Sequence, residues 1–593
     1  MGLLQKGLET YDAMEYLAGV VESDDKEPLA PIGHICTKAG IEVTIDSYGQ
    51  FIQARRYDKK IIIPVTENSA GRTSGPATPH PLCEQIGYIS GICLEKTEAY
   101  LEQLKDWMDF SQRCKAILFP IYQYVSNKSV LDDLLNAGLI IIGNDGTLKN
   151  DKDLVCWRVV GLGDEDSAVW TNRTLQKDYV EFYLHRKDSA EGVFSLISGE
   201  IGTVATQHLK GVVSISGNAK VVSANIPMNF EGRFLDLEEA MTLSYVDSQK
   251  AHNALKWIVS NQGVRIGNRV FVCWNPQGRA FPKPLLPILK SEETRLEPTE
   301  YKEDLYNAIL GYKSSFQPGE GVVVTSLEAA TTGRLAITYY SELQGTDFLE
   351  RMAYWDGTCC WYDNRWGTKS PDIRDIVRYA LGVQRSSDSN AKVEADDRIM
   401  SQQVQRLLNC KLDKNPFPMD LMRMIVQKTS RLGCYNLRNR NNLLFITCAA
   451  VRKYWIDRFK EEWSMSLEPD KKDRSYQYGR LLAVLEKAES DTYTQGEERD
   501  TNAIRMQSIF VQRPAYATKV IIEQLKNAYY PRLSSRKKVY YERIIGEIMQ
   551  MISASGEDLY DKPLTETYVL GYYLQKNALW AKKDIGIEEE KND

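Results

Sequence analysis

Apolar positions recur at two different spacings along this 593-residue chain, and the change between them sets its organisation. Leu4, Leu8, Tyr11, Met14 and Leu17 fall at helical spacing, which predicts a helix over Leu3 to Val21, ended by the acidic break Glu22 to Glu27 and by Pro28 and Pro31. Ile41, Val43 and Ile45 then alternate with polar residues. Phe51 to Arg55 returns after a turn at Ser47 to Gly49, and Lys59 to Val65 is a third apolar run, so three short antiparallel strands are expected. Leu94 to Cys114 and Ser129 to Ala137 read as helices, Leu154 to Val160 and Tyr179 to Leu184 as strands, and His208 to Phe230 as sheet with exposed polar loops. Asp247 to Asn261 reads as a capped helix and Arg269 to Trp274 as a strand. Gln277 to Pro298 is proline-rich and a candidate linker. Beyond it, Gly321 to Leu327 and Arg334 to Tyr340 are expected to pair as strands, with a helix over Thr346 to Trp355. After about Asp372 nearly everything to Trp580 has a period near 3.6. The expected class is α+β: a mixed N-terminal region of short antiparallel sheets and helices, followed by an all-helical C-terminal bundle. Four parts follow: 1–276, a linker and second α+β segment at 277–371, a helical connector at 372–464, and a bundle at 465–593.

Charge changes this picture little overall and much locally. The 74 basic and 80 acidic residues give a net charge of -6, so the chain is no simple polycation coating nucleic acid. Residues 504–543, however, carry nine Lys or Arg (Arg505, Arg513, Lys519, Lys526, Arg532, Arg536, Lys537, Lys538, Arg543) against Glu523 and Glu542, a local charge of +7. Tyr516, Tyr529, Tyr530, Tyr540 and Tyr541 interleave with them, a mixture suited to following a phosphate backbone while stacking on unpaired bases, although such residues also commonly just solvate a helix face. The eleven cysteines are odd in number and scattered, which fits reduced thiols in a cytoplasm better than disulfides or structural zinc. Neither a signal peptide nor a membrane span is expected.

The sequence offers no phosphate loop, dinucleotide fingerprint, Gly-x-Ser-x-Gly elbow or His-Glu-x-x-His motif, and its five histidines stand apart. Asp24-Asp25, Asp396-Asp397 and Glu497-Glu498 lie in very polar stretches where solvation explains them. A non-enzyme with no cofactor and no metal is expected. The stretch Asn68 to Gly91, with four glycines and three prolines around Arg72, has the composition of a polar reading loop, and equally of an ordinary surface connection.

Several blocks, in shared order and spacing, resemble one family. They are Arg72-Thr-Ser-Gly75 through Tyr88 to Gly91, HLKGVVSISGNAKVVSANIPMNF (208–230), QKAHNALKWI (249–258), GRLAITYYSELQGTDFLERMAYW (333–355), YGRLLAVLE (478–486) and the GYYLQKNAL core of 564–579. The chain resembles the large subunit of the type I-C CRISPR surveillance complex, or Cascade, the Csd1-like family. The resemblance implies a subunit that helps recognise the protospacer-adjacent motif, stabilises the R-loop and helps recruit the helicase-nuclease. Its implied partners are double-stranded target DNA and the displaced single strand, the crRNA-containing complex with its backbone and crRNA-end-capping subunits, and the small subunit. Base pairing would read the long sequence and protein only a short duplex element.

The residues offered to DNA are Asn68, Arg72, Thr73 and Ser74 in the first loop and Lys210, Ser214, Ser216 and Asn218 in the second. In the helical third they are Arg505, Arg513, Lys519, Arg532, Arg536, Lys537 and Lys538. The second loop departs from the family pattern: Val213-Ser-Ile-Ser-Gly217 stands where the family favours a Gln-Ser-Ser-Gly-like run, and Ser223-Ala-Asn225 where it has Ser-Phe-Asn. The helical end resembles the small subunit, and Met465 is a candidate internal start for a product of residues 465–593. Two other readings stay open: an α+β scaffold with a helical docking tail that touches no nucleic acid, and a metal-dependent nuclease whose carboxylate and histidine cluster the sequence does not place.

Overall fold

The computed structural model describes residues 2–23, 25–72, 77–143, 148–163, 167–187, 192–223, 241–289, 295–494, 496–497, 499–555 and 561–580. Two compact units emerge, 1–279 with 320–342, and 280–319 with 343–593, so the span 277–371 is shared between them.

Unit 1 holds two four-stranded sheets. In the first, β1 (His34–Asp46), β2 (Phe51–Pro64), β3 (Glu84–Gln85) and β4 (Leu154–Val160) lie in the order β2-β1-β4-β3. β1 pairs antiparallel with β2 and parallel with β4, and its Ile41 to Ile45 are all buried, as befits a central strand covered on both faces. The expected strands Phe51 to Arg55 and Lys59 to Val65 are one strand. Ala39 faces Lys59 while Ile41 faces Arg56, so β2 carries one extra residue, and Asp58, at φ 54°, absorbs that bulge instead of turning the chain.

The helices of this half are α1 (Gly2–Met14), α2 (Glu67–Gly71), α3 (Ile86–Ile89), α4 (Leu94–Phe110), α5 (Lys115–Ser126), α6 (Val130–Asn136), α7 (Arg173–Lys187) and α8 (Tyr245–Gln262). The strand expected at Tyr179 to Leu184 is part of α7. Its aromatic run reads as strand in a six-residue window, but Leu175, Tyr179, Phe182 and Tyr183 share one buried helical face. A short hairpin joins β5 (Gly192–Phe194) to β6 (Ile201–Thr203). The second sheet, β10-β9-β8-β7, comprises β7 (Val264–Ile266), β8 (Arg269–Trp274), β9 (Gly321–Thr331) and β10 (Arg334–Gln344), with α1 and α8 against it. Between His208 and Ser223 the expected sheet reduces to single bridges, Lys210 with Lys220 and Lys220 with Arg334.

Unit 2 contains α9 (Pro298–Ser315), a helix not expected from the sequence that follows the candidate linker, then α10 (Gly345–Thr358) and the hairpin of β11 (Trp361–Asp363) with β12 (Gly367–Lys369). It continues with α11 (Ile373–Leu381), the two-residue pair β13 (Val383–Gln384) and β14 (Val393–Glu394), α12 (Asp397–Asp413), α13 (Met419–Thr429) and α14 (Leu437–Phe459). α15 (Arg474–Ser490), α16 (Asn502–Arg505), α17 (Gln507–Gln512), α18 (Pro514–Gln524), α19 (Ser535–Ala554) and α20 (Tyr568–Trp580) complete it. α15 is the buried axis, and α20 crosses it at two glycines. A Cβ on Gly479 would overlap the Tyr568 carbonyl, and one on Gly571 the Tyr476 carbonyl, so only glycine lets these backbones touch. Among the described residues no helix is long and apolar enough to cross a membrane.

Candidate nucleic-acid interface

The first loop begins with a local signal. Thr66 caps α2: its Oγ1 accepts from Ser69 N–H at 3.0 Å while Ser69 Oγ accepts from Thr66 N–H at 2.9 Å, a reciprocal capping box. α7 fastens this short helix. Tyr179 OH donates to Val65 O at 3.0 Å, Tyr183 OH accepts from Glu67 N–H at 3.1 Å, and Lys187 pairs with the Glu67 carboxylate. Farther on, Leu82 O accepts from both Tyr100 OH (2.7 Å) and Trp157 Nε1 (2.9 Å), tying the loop to the core.

Arg72 points inward from this frame. Its guanidinium forks onto Glu84 at 2.5 and 2.6 Å, donates to Thr78 O at 2.9 Å, and lies 4.5 Å from the centre of the Tyr88 ring. Glu84 is fully buried and also accepts from His80 N–H and Gln85 N–H. The Arg72 side chain keeps 16% of its exposure. His80 is buried beside it, with Nδ1 3.0 Å from Ser69 Oγ; burial first, then the Arg72 charge, hold its imidazole well below the ordinary range. Asn68 faces outward. Thr73 and Ser74 lie outside the described residues.

The second loop meets the first through Glu67. Its carboxylate accepts from Thr206 N–H (3.0 Å), Thr206 Oγ1 (2.8 Å) and Gln207 N–H (3.3 Å). Gln207 Nε2 donates to Asn68 Oδ1 at 3.3 Å, and Lys210 Nζ lies 3.4 Å from Gly71 O. Ser214 and Asn218 are exposed, whereas Ser216 donates to Thr332 O at 2.8 Å and thereby fixes the loop to the β9–β10 turn. Asn68, Lys210 and the 214–218 tip are thus parts of one fastened structure. The sequence reading missed Glu67 and Gln207; the Thr66-x-x-Ser69 capping pattern was the available sign that a helix starts there.

In the basic segment of unit 2, Arg505, Arg513, Lys519, Arg532, Arg536, Lys537 and Lys538 are all exposed. Lys537 reaches Asp491 at 3.1 Å, and Arg505 donates to Asn502 Oδ1 at 3.0 Å. The tyrosines divide. Tyr516 and Tyr540 are exposed, but Tyr529, Tyr530 and Tyr541 are core, with Tyr541 OH donating to Asp491 at 2.8 Å. Only two of the five rings are therefore exposed. The helical stretch that carries Tyr516 and Tyr529 is composite: α18 passes into a π turn at Leu525–Tyr529 and a 3-10 turn at Tyr530–Arg532, where Pro531 cannot continue the ladder.

Met465 lies between α14 and α15, half-buried against Tyr301, Leu305 and Cys360. It lines a cleft of about 270 Å³ with Glu297, Tyr362 and Leu574. Among the described residues no group of three or more His, Cys, Asp or Glu is placed to hold a metal.

The comparison with protein families gives one assignment over nearly the whole chain: the model for CRISPR-associated protein Csd1 matches residues 13–580. No curated protein matches the chain. The match spans both units and all but the first helix of the elements described above, so the chain belongs to the Csd1 family of CRISPR-associated proteins and is a Cascade subunit.

Proposed function

We propose that the chain is the non-catalytic large subunit of a type I-C surveillance complex, and that it meets the protospacer-adjacent motif with the face of unit 1 formed by α2 and the 205–220 loop. The observation that carries this is the Glu67 carboxylate of α2 binding Thr206 and Gln207 of the second loop, which holds Asn68, Gln207, Lys210, Ser214 and Asn218 on one preorganised polar surface. The exposed basic residues between Arg505 and Lys538 suit the displaced strand of the R-loop, with Tyr516 and Tyr540 as stacking faces. Recruitment of the helicase-nuclease and contacts with crRNA-bearing subunits belong to the same reading. The scaffold alternative draws support from Arg72, whose charge is spent on Glu84 inside the fold.

Binding of the assembled complex to targets with randomised flanking bases tests the proposal. Asn68→Ala with Gln207→Ala is expected to flatten the flanking-base preference, whereas neutral substitutions at Arg532, Arg536 and Lys537 weaken all targets alike and make affinity less salt-dependent. An unchanged preference in the first variant removes the α2 face from recognition. Duplex affinity that is the same with and without this chain at every salt concentration favours the scaffold. Met465 as an internal start is part of the proposal; a short product that persists after its codon is changed to a non-start codon rules it out.

A further inference from the structure

Behind the second loop, basic side chains from three segments converge without a carboxylate partner among the described residues. Lys210 and Lys220 are bridge partners, and Lys220 is in turn a bridge partner of Arg334. The backbone holds this register: Gly211 N–H donates to Ala219 O at 3.1 Å, Lys220 N–H to Gly333 O at 3.1 Å, and Leu335 N–H to Lys220 O at 3.0 Å. Neighbouring strands lie about 4.8 Å apart, so the three residues span about 10 Å, the reach of two to three phosphates at about 3.4 Å of helix axis each.

Beneath them lie two stacked imidazoles, His208 and His252, with ring centres 5.6 Å apart. Ser248 takes one nitrogen of each: its Oγ is 2.8 Å from His208 Nδ1 and its carbonyl 2.7 Å from His252 Nδ1. His252 is fully buried, and its Nε2 has no hydrogen-bond partner among the described residues. Burial first, then neighbouring positive charge, lowers His208 to about 3, and burial lowers His252 to about 4 with Lys220 adding to it. Lys220 is itself lowered, by burial and by Lys210. Among the described residues no carboxylate compensates the positive potential here. The neighbouring carboxylate, Glu27, is engaged by Lys60 at 3.3 Å and Lys256 at 3.0 Å.

We infer that Lys210 and Lys220, with Arg334 beside them, hold backbone phosphates of the target duplex. The cavity that His252 and Lys210 line, about 20 Å³, admits one water molecule and no phosphate, so the anion sits above it on the two ammonium groups. Each phosphodiester carries one negative charge and would offset one of these neighbouring cations, and the pairing is independent of base sequence. This rests on the proposed duplex contact and adds what grips the backbone beside the reading face.

The test is Lys210→Gln with Lys220→Gln in the full-length chain, assembled into the complex, with Lys210→Arg and Lys220→Arg as the charge-retaining control. The Gln variant is expected to bind every duplex more weakly, roughly tenfold per lost contact, and to lower the slope of log affinity against log salt by about 1 per contact, with flanking-base preference intact. The Arg variant is expected to keep the wild-type slope. Equal slopes for the Gln variant and wild type, in a complex whose duplex binding depends on this chain, overturn the inference and leave the recognition proposal standing. Wild-type binding that is independent of the chain fells the recognition proposal, and the inference with it. Loss of guide RNA from the Gln complex, at unchanged duplex slope, assigns the phosphate to the guide and overturns the duplex assignment.

Discussion

Replacing Arg72 by alanine is expected to destabilise unit 1 before it affects any DNA contact. The substitution leaves the fully buried Glu84 carboxylate with two backbone N–H donors and no cation. Stranding one member of a buried pair costs about 3–5 kcal/mol. The partial exposure of Arg72 points to the lower end, about 3 kcal/mol, to which loss of the contact over Tyr88 adds roughly 0.5–1 kcal/mol. Removing the stranded charge as well should restore most of this, so Arg72→Ala with Glu84→Gln is expected to be more stable than Arg72→Ala alone, with a coupling of about 2 kcal/mol.

Differential scanning calorimetry of the four proteins in this cycle measures the effect. A loss of about 3 kcal/mol in a unit of this size lowers its transition by roughly 5 °C. Duplex binding is then read well below that transition. An Arg72→Ala protein that melts like wild type while losing motif-dependent binding would refute the reasoning and return Arg72 to the reading surface.

Gly479→Ala is expected to destabilise unit 2 by a few kcal/mol, because its Cβ meets the α20 backbone. Gly546→Ala, with nothing within 4 Å of its added Cβ, should instead stabilise α19 by about 0.5–1 kcal/mol; urea midpoints separate the two, and similar midpoints would deny the close crossing. Acid should weaken unit 1 first. His34, His208 and His252 fold with pKa values lowered to about 4, 3 and 4, so the unfolded chain binds more protons and stability, whole above pH 6.5, falls between pH 6.5 and about 4 by up to about 1.4 kcal/mol per pH unit per histidine. Unit 2 contains no histidine, and Asp363 and Asp491, lowered despite burial by Arg365 and Lys487, withdraw their contribution only below about pH 4. Calorimetry at pH 7 and pH 5 checks this, and transitions that move together contradict it.

The sequence carried the strands with clean alternation and the long helices, because burial on one face writes a period into the chain. It could not carry Tyr179 to Leu184, where five aromatic or apolar residues in six mask the helical spacing that Leu175 completes. The helix Pro298–Ser315 was hidden because few of its residues are buried and prolines precede it. At the candidate site the loop was legible and the role of Arg72 was not: its partner Glu84 lies twelve residues away in the same loop, and nothing in that spacing separates an inward arginine from an outward one. Lys220, Arg334 and the two imidazoles come from three segments that only the fold brings together.

The blocks that carry the family likeness are largely those the fold buries. YGRLLAVLE and GYYLQKNAL are the two sides of the α15–α20 crossing, with Gly479 and Gly571 at its centre. QKAHNALKWI is the inner part of α8, where Asn253 donates to Ala30 O and Pro31 O, and His252 underlies the lysine cluster. Family resemblance at such positions speaks for a scaffold, since a close crossing or a buried amide admits few alternatives. The 213–218 stretch, where the chain departs from the family pattern, is different: Ser214 and Asn218 are exposed, and the Ser216 side chain is held by Thr332 O. Substitutions there leave Glu67, Arg72 and Glu84 untouched. A change of flanking-base preference could therefore arise at the loop tip on an unaltered frame, while phosphate contacts at Lys210 and Lys220 continue to supply affinity that does not depend on sequence.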